Sequence, residues 1–221
     1  MRESSLFSFQ RIRKTLVRAD RPVLEVNIEY PIFNIEPPIE KINEFYRNLA
    51  ENYAFYCENR FIKKITDTAV RSDNFKKFGE IMKFFIPYVD SEYLSVVCEI
   101  EHFNGFFKRK KRISQNWRVC DQIVLSSRFY SRVMGKTSKQ IKREVGDMIV
   151  DSVKNGFCAF SYTERSIKKF AYKVNIDNFY LCDKGIAFWF DAGTLAPESE
   201  GFPTYIIKGG LKHNEPSFDG S

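Results

Sequence analysis

Residues 178–207 read NFYLCDKGIAFWFDAGTLAPESEGFPTYII. Phe179 and Leu181 alternate with Tyr180 and Cys182. After Asp183-Lys184-Gly185, Ile186, Phe188 and Phe190 alternate with Ala187, Trp189 and Asp191. Successive side chains of a strand point to opposite faces, so the pattern predicts a β-hairpin with faces that must be covered. Gly185 supplies the positive φ on which a short turn closes. Aromatics on both faces of the second strand predict that it is central in its sheet or covered by a helix. Gly193, Pro197, Gly201 and Pro203 punctuate a loop before a third strand at Tyr205-Ile206-Ile207. The apolar segments upstream, above all a long helix, are expected to pack on this late layer.

Working outward, residues 8–30 predict a first hairpin turning at Arg18-Ala19-Asp20-Arg21-Pro22. Leu24, Val26, Ile28 and Tyr30 alternate with polar residues on its second strand, and Pro31 ends it. Pro37-Pro38 opens a helix whose stripe is Ile39, Ile42, Tyr46, Leu49, Tyr53 and Tyr56. Run to Thr68, that helix would be about 45 Å long, long enough to bend or to break once. Phe75, Phe78, Met82 and Phe85, spaced by three and four, predict a second helical piece stopped by Pro87.

Tyr93–Phe103 reads as a strand with Leu94, Val96, Cys98 and Ile100 on one face and His102 at its end as a packed histidine. Asn104-Gly105 signals a hairpin turn, and Trp117–Leu125 is a further strand region. Thr137 or Ser138 caps a helix that buries Ile141, Val145, Met148, Ile149, Ser152 and Val153 and stops at Asn155-Gly156. A shorter helix over 162–172 buries Ile167, Phe170 and Ala171. Helices and strands are segregated along the chain, which predicts an α+β fold with an antiparallel sheet packed by a long amphipathic helix and additional helices. The expected divisions are an N-terminal strand segment (1–19), one domain (20–211, halves 20–105 and 113–211) and a polar tail (212–221).

The chain has 221 residues, 43% of them hydrophobic, with 22 Phe and 11 Tyr, which is ample material for a core. It contains no run of about 18 apolar residues and no N-terminal apolar h-region, so neither a membrane span nor a signal peptide is visible. If Met1 is the native start, this places the protein in the cytoplasm; if the natural chain begins upstream, it is the extracytoplasmic domain of an anchored protein. Cys57, Cys98, Cys120, Cys158 and Cys182 lie in apolar segments without C-x-x-C spacing and read as buried, reduced thiols. With only His102 and His213, the sequence offers neither a His-rich metal site nor a Ser-His-Asp triad. No cofactor or metal is expected. Gly135-Lys136-Thr137 lacks the upstream glycine and strand of a phosphate-binding loop.

The net charge is +7 and the pI 9.1, which favours acidic partners. The densest cluster is Lys108, Arg109, Lys110, Lys111 and Arg112, and these are the candidate binding residues. Together with Arg11, Arg13, Lys14 and Arg18 they could track a nucleic acid. Equally, they could form a solvated hairpin arm whose charges keep a sheet edge from aggregating. Glu99 and Glu101 share a strand face, the arrangement in which neighbouring carboxylates can serve as acid and base, although an outer solvated face gives the same pattern. No catalytic residue is assigned.

The late hairpin resembles the C-terminal domain shared by RsiV-type anti-sigma factors and PdaC-type peptidoglycan deacetylases. The resemblance rests on Asn178, Phe179, Tyr180, Leu181, Gly185, Phe188, Phe190, Ala196, Pro197 and Gly201, with looser support from Arg21-Pro22, Tyr30-Pro31, Ile42-Asn43 and Ser114-Gln115-Asn116-Trp117. Relatives of that kind carry a further strand and a Gly-Gly-Ala-His turn where this chain has FNGFFKRKKRI, so a shortened hairpin or a basic replacement arm is expected there. The resemblance implies a non-catalytic binding or sensor domain that takes a protein such as lysozyme, the RsiV ligand, or a cell-wall fragment. Nucleic-acid or other polyanion binding through residues 108–112 is the alternative.

Overall fold

The computed structural model describes residues 6–36, 38–63, 65–156 and 159–209. The expectations placed on Pro37, Cys158, His213 and the tail fall outside the described residues. The chain divides into two compact units, one ending at Val124 and the other beginning at Leu125. The architecture is α+β, with strands mostly antiparallel, as the segregated pattern predicted.

In the first unit, β1 (Phe7–Arg18) and β2 (Arg21–Phe33) form the expected hairpin, paired from Phe7↔Phe33 to Arg18↔Arg21. Its two-residue turn places Ala19 at φ 48° and Asp20 at φ 61°. Successive positive φ values give a turn whose twist matches that of the strands. Pro31 does not end β2. It lies beyond Ile28, where among the described residues β2 pairs with β1 alone and a missing N–H costs the sheet little.

Helix α1 (Glu40–Ile62) follows, then the short α2 (Asp67–Arg71), so the long helical stretch breaks once. The buried series of α1 is Ile42, Tyr46, Ala50, Ala54, Cys57 and Phe61, with Leu49 and Tyr53 half-buried and Tyr56 exposed. The predicted stripe therefore drifts after Tyr46. Small side chains at Ala50, Ala54 and Cys57 face the sheet and leave the larger Tyr56 outside. Two contacts seat the helix. The Asn43 amide extends the ladder of β2, accepting from the Phe33 N–H at 2.8 Å and donating to its carbonyl at 3.0 Å. Trp117 Nε1 donates to the Tyr46 hydroxyl at 2.7 Å, in a cluster of edge-on rings that includes Phe45 and Phe84.

The predicted second helical piece is instead β3 (Phe78–Val89), and this corrects the reading of Phe75, Phe78, Met82 and Phe85. The inward series is Phe78, Glu80, Met82 and Phe84. A glutamate among the inward positions hides a period of two, while the chance spacing of the phenylalanines imitates a helix. Pro87 sits where the register with β4 shifts between Phe85 and Tyr88, a bulge that tolerates a missing N–H. Because α1 carries the chain back across the sheet, β3 pairs with β2 in parallel, Leu24 to Phe78 through Ile28 to Met82. β4 (Tyr93–Phe103), β5 (Lys108–Arg118) and the two-residue β6 (Ile123–Val124) then continue antiparallel, giving the order β1-β2-β3-β4-β5-β6. The basic run is thus the returning strand of an uninterrupted β4–β5 hairpin.

The second unit holds α3 (Ser127–Val133), α4 (Ser138–Lys154), α5 (Glu164–Phe170) and the antiparallel sheet β7 (Phe179–Cys182), β8 (Gly185–Trp189) and β9 (Thr204–Lys208). Thr137 caps α4 in a full capping box with Gln140, and Gly156 beyond its C-terminus has φ 69°. The predicted hairpin forms, with Phe179↔Phe188 and Leu181↔Ile186 paired and Gly185 at φ 140°. Phe188 and Phe190 are buried, as the alternation required. The long helix, however, does not cover this layer: α1 packs on β2 in the first unit, whereas α4 packs against β9 here. An apolar stripe fits any apolar face, and periodicity alone does not name its partner.

Candidate binding face

Helix α1 covers one face of the large sheet. On the other face, strand alternation sets Arg11 and Arg13 of β1, Glu25, Asn27 and Glu29 of β2, Ile81, Lys83 and Phe85 of β3, Glu99 and Glu101 of β4, and Lys108, Lys110 and Arg112 of β5. Three hollows open here, and all three share Ile81. The largest, about 360 Å³, is lined by Arg11, Arg13, Asn27, Glu29 and Lys83 among others. A second, about 280 Å³, lies between Glu25, Lys77, Glu101 and Lys108, and a third, about 270 Å³, between Lys83, Phe85, Glu99 and Lys110. Further along this face Ser95, Val97 and Asn116 are buried, which confines the open region to the surroundings of Ile81.

The alternation divides the five candidate cations. Lys108, Lys110 and Arg112 lie on the open face, and Arg109 and Lys111 on the opposite one. Acids of β4 meet them: Lys108 bonds Glu101 at 2.9 Å, and Arg112 bonds Glu99, its Nε at 3.0 Å. Lys110 is opposite Glu101 in register. The carboxylates Glu99 and Glu101, considered above as an acid–base pair, are therefore each occupied by a cation. Of the N-terminal cations, Arg11 pairs with Glu29 at 2.9 Å on the open face. Lys14 reaches Glu58 of α1 at 2.9 Å, and Arg18 pairs with Asp67, the first residue of α2, so neither belongs to the face. Arg13 and Lys83 make no ion pair or hydrogen bond among the described residues. They leave the largest hollow with uncompensated positive charge.

Behind the sheet lies a polar cluster that no sequence motif announced. Glu80, fully buried on β3, accepts from the Tyr53 hydroxyl of α1 at 2.8 Å on one oxygen and contacts His102 Nδ1 on the other. A buried carboxylate is tolerated only when its oxygens are satisfied, and these two residues satisfy it. His102 is thus a packed histidine, and its ring partners a buried carboxyl group. Burial, the hydrogen bond to Glu80 and the nearby Cys57 and Glu80 charges push the Tyr53 phenol far above its ordinary range. Burial and the Glu80 charge push the Cys57 thiol up to about 12. Burial does the same to Cys98, also to about 12. Such thiols stay protonated at neutral pH and are poor nucleophiles. Cys120 departs from the expectation of buried cysteines: it is exposed in the turn after β5, and Cys182 is half-buried.

Among the described residues no three His, Cys, Asp or Glu side chains are grouped as a metal site requires, and no helix is long and apolar enough to cross a membrane. No family model and no curated protein matches the chain. The crystal structure of a member of the DUF3298 family from Bacteroides fragilis matches it with a TM-score of 0.54 at 12% identity, over 91% of this chain and 89% of that one. A DUF3298 family protein from Pseudomonas aeruginosa matches with a TM-score of 0.54 at 15% identity, over 91% of this chain and 90% of that one. The likeness is one of fold: the chain shares its architecture with DUF3298 domains, whose function is itself unassigned.

Proposed function

We propose that this chain is a non-catalytic binding domain that takes a compact acidic ligand, such as a carboxylated cell-wall fragment, on the open face around Ile81. The observation that carries this reading is the hollow at Arg13 and Lys83, which make no ion pair or hydrogen bond among the described residues and stand beside the Arg11–Glu29 pair. Its volume is that of a small-ligand site. Unpaired cations there strengthen binding of an anion and speed its approach. The resemblance to RsiV-type and PdaC-type domains includes a cell-wall fragment among the ligands it implies. The ion pairs at Glu99 and Glu101 support the non-catalytic part of the reading.

A nucleic-acid track along residues 108–112 is less well supported, because the cations face both sides of β5, and Lys108 and Arg112 pair with acids of β4. A protein ligand such as lysozyme rests on the resemblance alone. The test is a thermal-shift and calorimetric titration with muropeptides, lysozyme and a DNA oligonucleotide, on the native chain and on Arg13→Glu/Lys83→Glu. A salt-sensitive muropeptide signal that the double substitution abolishes is the expected result. No muropeptide signal, or one indifferent to these residues, would remove the proposal, and a DNA signal alone would favour the polyanion reading.

A further inference from the structure

The β4–β5 loop, Asn104 to Phe107, carries the most exposed large apolar side chains among the described residues: Phe106 is 71% and Phe107 70% exposed. Nothing in the binding face uses them. Their display is built into the loop. Asn104 Oδ1 accepts from the N–H groups of Phe106 at 3.1 Å and Phe107 at 2.8 Å, and the Asn104 N–H bonds the Phe107 carbonyl at 3.2 Å. Gly105 has φ 90°, and a Cβ there would lie 2.5 Å from that of Lys76, so no other residue fits without displacing the segment that leads into β3. Two adjacent rings are thus held outward on a hydrogen-bonded turn, and the residues that follow are Lys108, Arg109, Lys110, Lys111 and Arg112, with no acid among them.

We propose that this hairpin tip docks end-on to the surface of an anionic lipid bilayer, with Phe106 and Phe107 at the headgroup–acyl boundary and the basic strand behind them at headgroup level. Three features select this occupant. An apolar patch of two side chains is far smaller than the roughly 800 Å² per partner of a stable protein interface, but it suffices for shallow insertion. The cations after the tip alternate between the two faces of β5, Lys108 and Lys110 on one and Arg109 and Lys111 on the other. A partner docking sideways would meet one set, whereas a plane pressed against the tip meets both. At about 3.4 Å per residue, Lys108 to Lys110 lie within roughly a Debye length of that plane, where attraction to anionic lipid is strong. Glu101, which holds Lys108 and stands opposite Lys110 in register, offsets part of this charge.

The experiment is co-sedimentation of the full chain with vesicles of phosphatidylcholine alone and of phosphatidylcholine with phosphatidylserine. Binding to the anionic vesicles only, weakened by salt, is expected. Phe106→Ser/Phe107→Ser should lower the partition at least roughly tenfold while leaving the unfolding midpoint unchanged, since the rings touch solvent. A Phe107→Trp variant should shift its emission to the blue on anionic vesicles. Failure to bind anionic vesicles would overturn the proposal. So would binding that survives loss of both rings, because that is adsorption by charge alone. Arg13→Glu/Lys83→Glu, which should abolish ligand binding at the open face, should leave the effect of removing the two rings intact, so the two readings can fail separately.

Discussion

Removing the Tyr53 hydroxyl should destabilise the first unit out of proportion to one oxygen atom. In Tyr53→Phe the ring still packs, but Oε2 of the fully buried Glu80 loses its donor at 2.8 Å, with only His102 left on the other oxygen. Hydrogen bonds to charged groups contribute about 1.5–3 kcal/mol, and a buried acceptor left short of a donor gains nothing from water in return. With a urea dependence on the order of 2 kcal/mol per molar, the midpoint should fall by roughly 1 M. The chain has two tryptophans, Trp117 in the first unit and Trp189 in the second. Trp117 fluorescence in a Trp189→Phe background therefore reports the relevant transition. In a Glu80→Gln background the same hydroxyl deletion breaks a neutral bond and should cost only about 0.5–1.5 kcal/mol. Equal losses in both backgrounds, or a loss below about 0.5 kcal/mol in the native one, would refute the claim that Tyr53 is there to hold a buried carboxylate.

Two further substitutions separate the kinds of glycine in the second unit. Gly156→Ala meets open space at φ 69° and should cost about 1 kcal/mol, whereas Gly185→Ala would also set its Cβ 2.2 Å from the Ile207 carbonyl oxygen. Gly185→Ala should thus be the more damaging of the two in thermal unfolding, and parity would contradict the turn described here. Cysteine chemistry should follow burial. Alkylation at pH 8, resolved by peptide mapping, should modify Cys120 rapidly and Cys57 and Cys98 only on unfolding. Raised thiol pKa values also carry a sign: Cys57 and Cys98 titrate at about 12 folded against 9.0 unfolded. The stability they support is complete below pH 9 and lost as pH rises from 9 towards 12. Removing both thiols should flatten that alkaline decline.

Much of the fold could be read from local pattern. The alternation of Leu24, Val26, Ile28 and Tyr30, the Asp183-Lys184-Gly185 turn and the Thr137 cap each fix a structure through neighbours a few residues away. What could not be read depends on distant partners. Strand β3 was obscured because Glu80 occupies an inward position that makes sense only once Tyr53 and His102, far away in sequence, come to meet it. The destination of α1 was likewise hidden, since its stripe fits the apolar face of either sheet, and the parallel β2–β3 pairing follows from that destination. The candidate site was half legible. The basic run was visible, and alternation applied to it would have divided Lys108, Lys110 and Arg112 from Arg109 and Lys111. The hollow at Arg13 and Lys83 was not, because it joins strands whose adjacency the parallel pairing creates.

A lysine footprint addresses the binding face most directly. Acetylation rates of the exposed lysines would be compared with and without saturating muropeptide. Lys110 and Lys111 are neighbours in sequence on opposite sides of the sheet, and Lys83 lines the largest hollow. Protection of Lys83 and Lys110 with Lys111 and Lys14 unchanged is the predicted result. Protection of Lys111 and Lys14 while Lys83 stays reactive would contradict it.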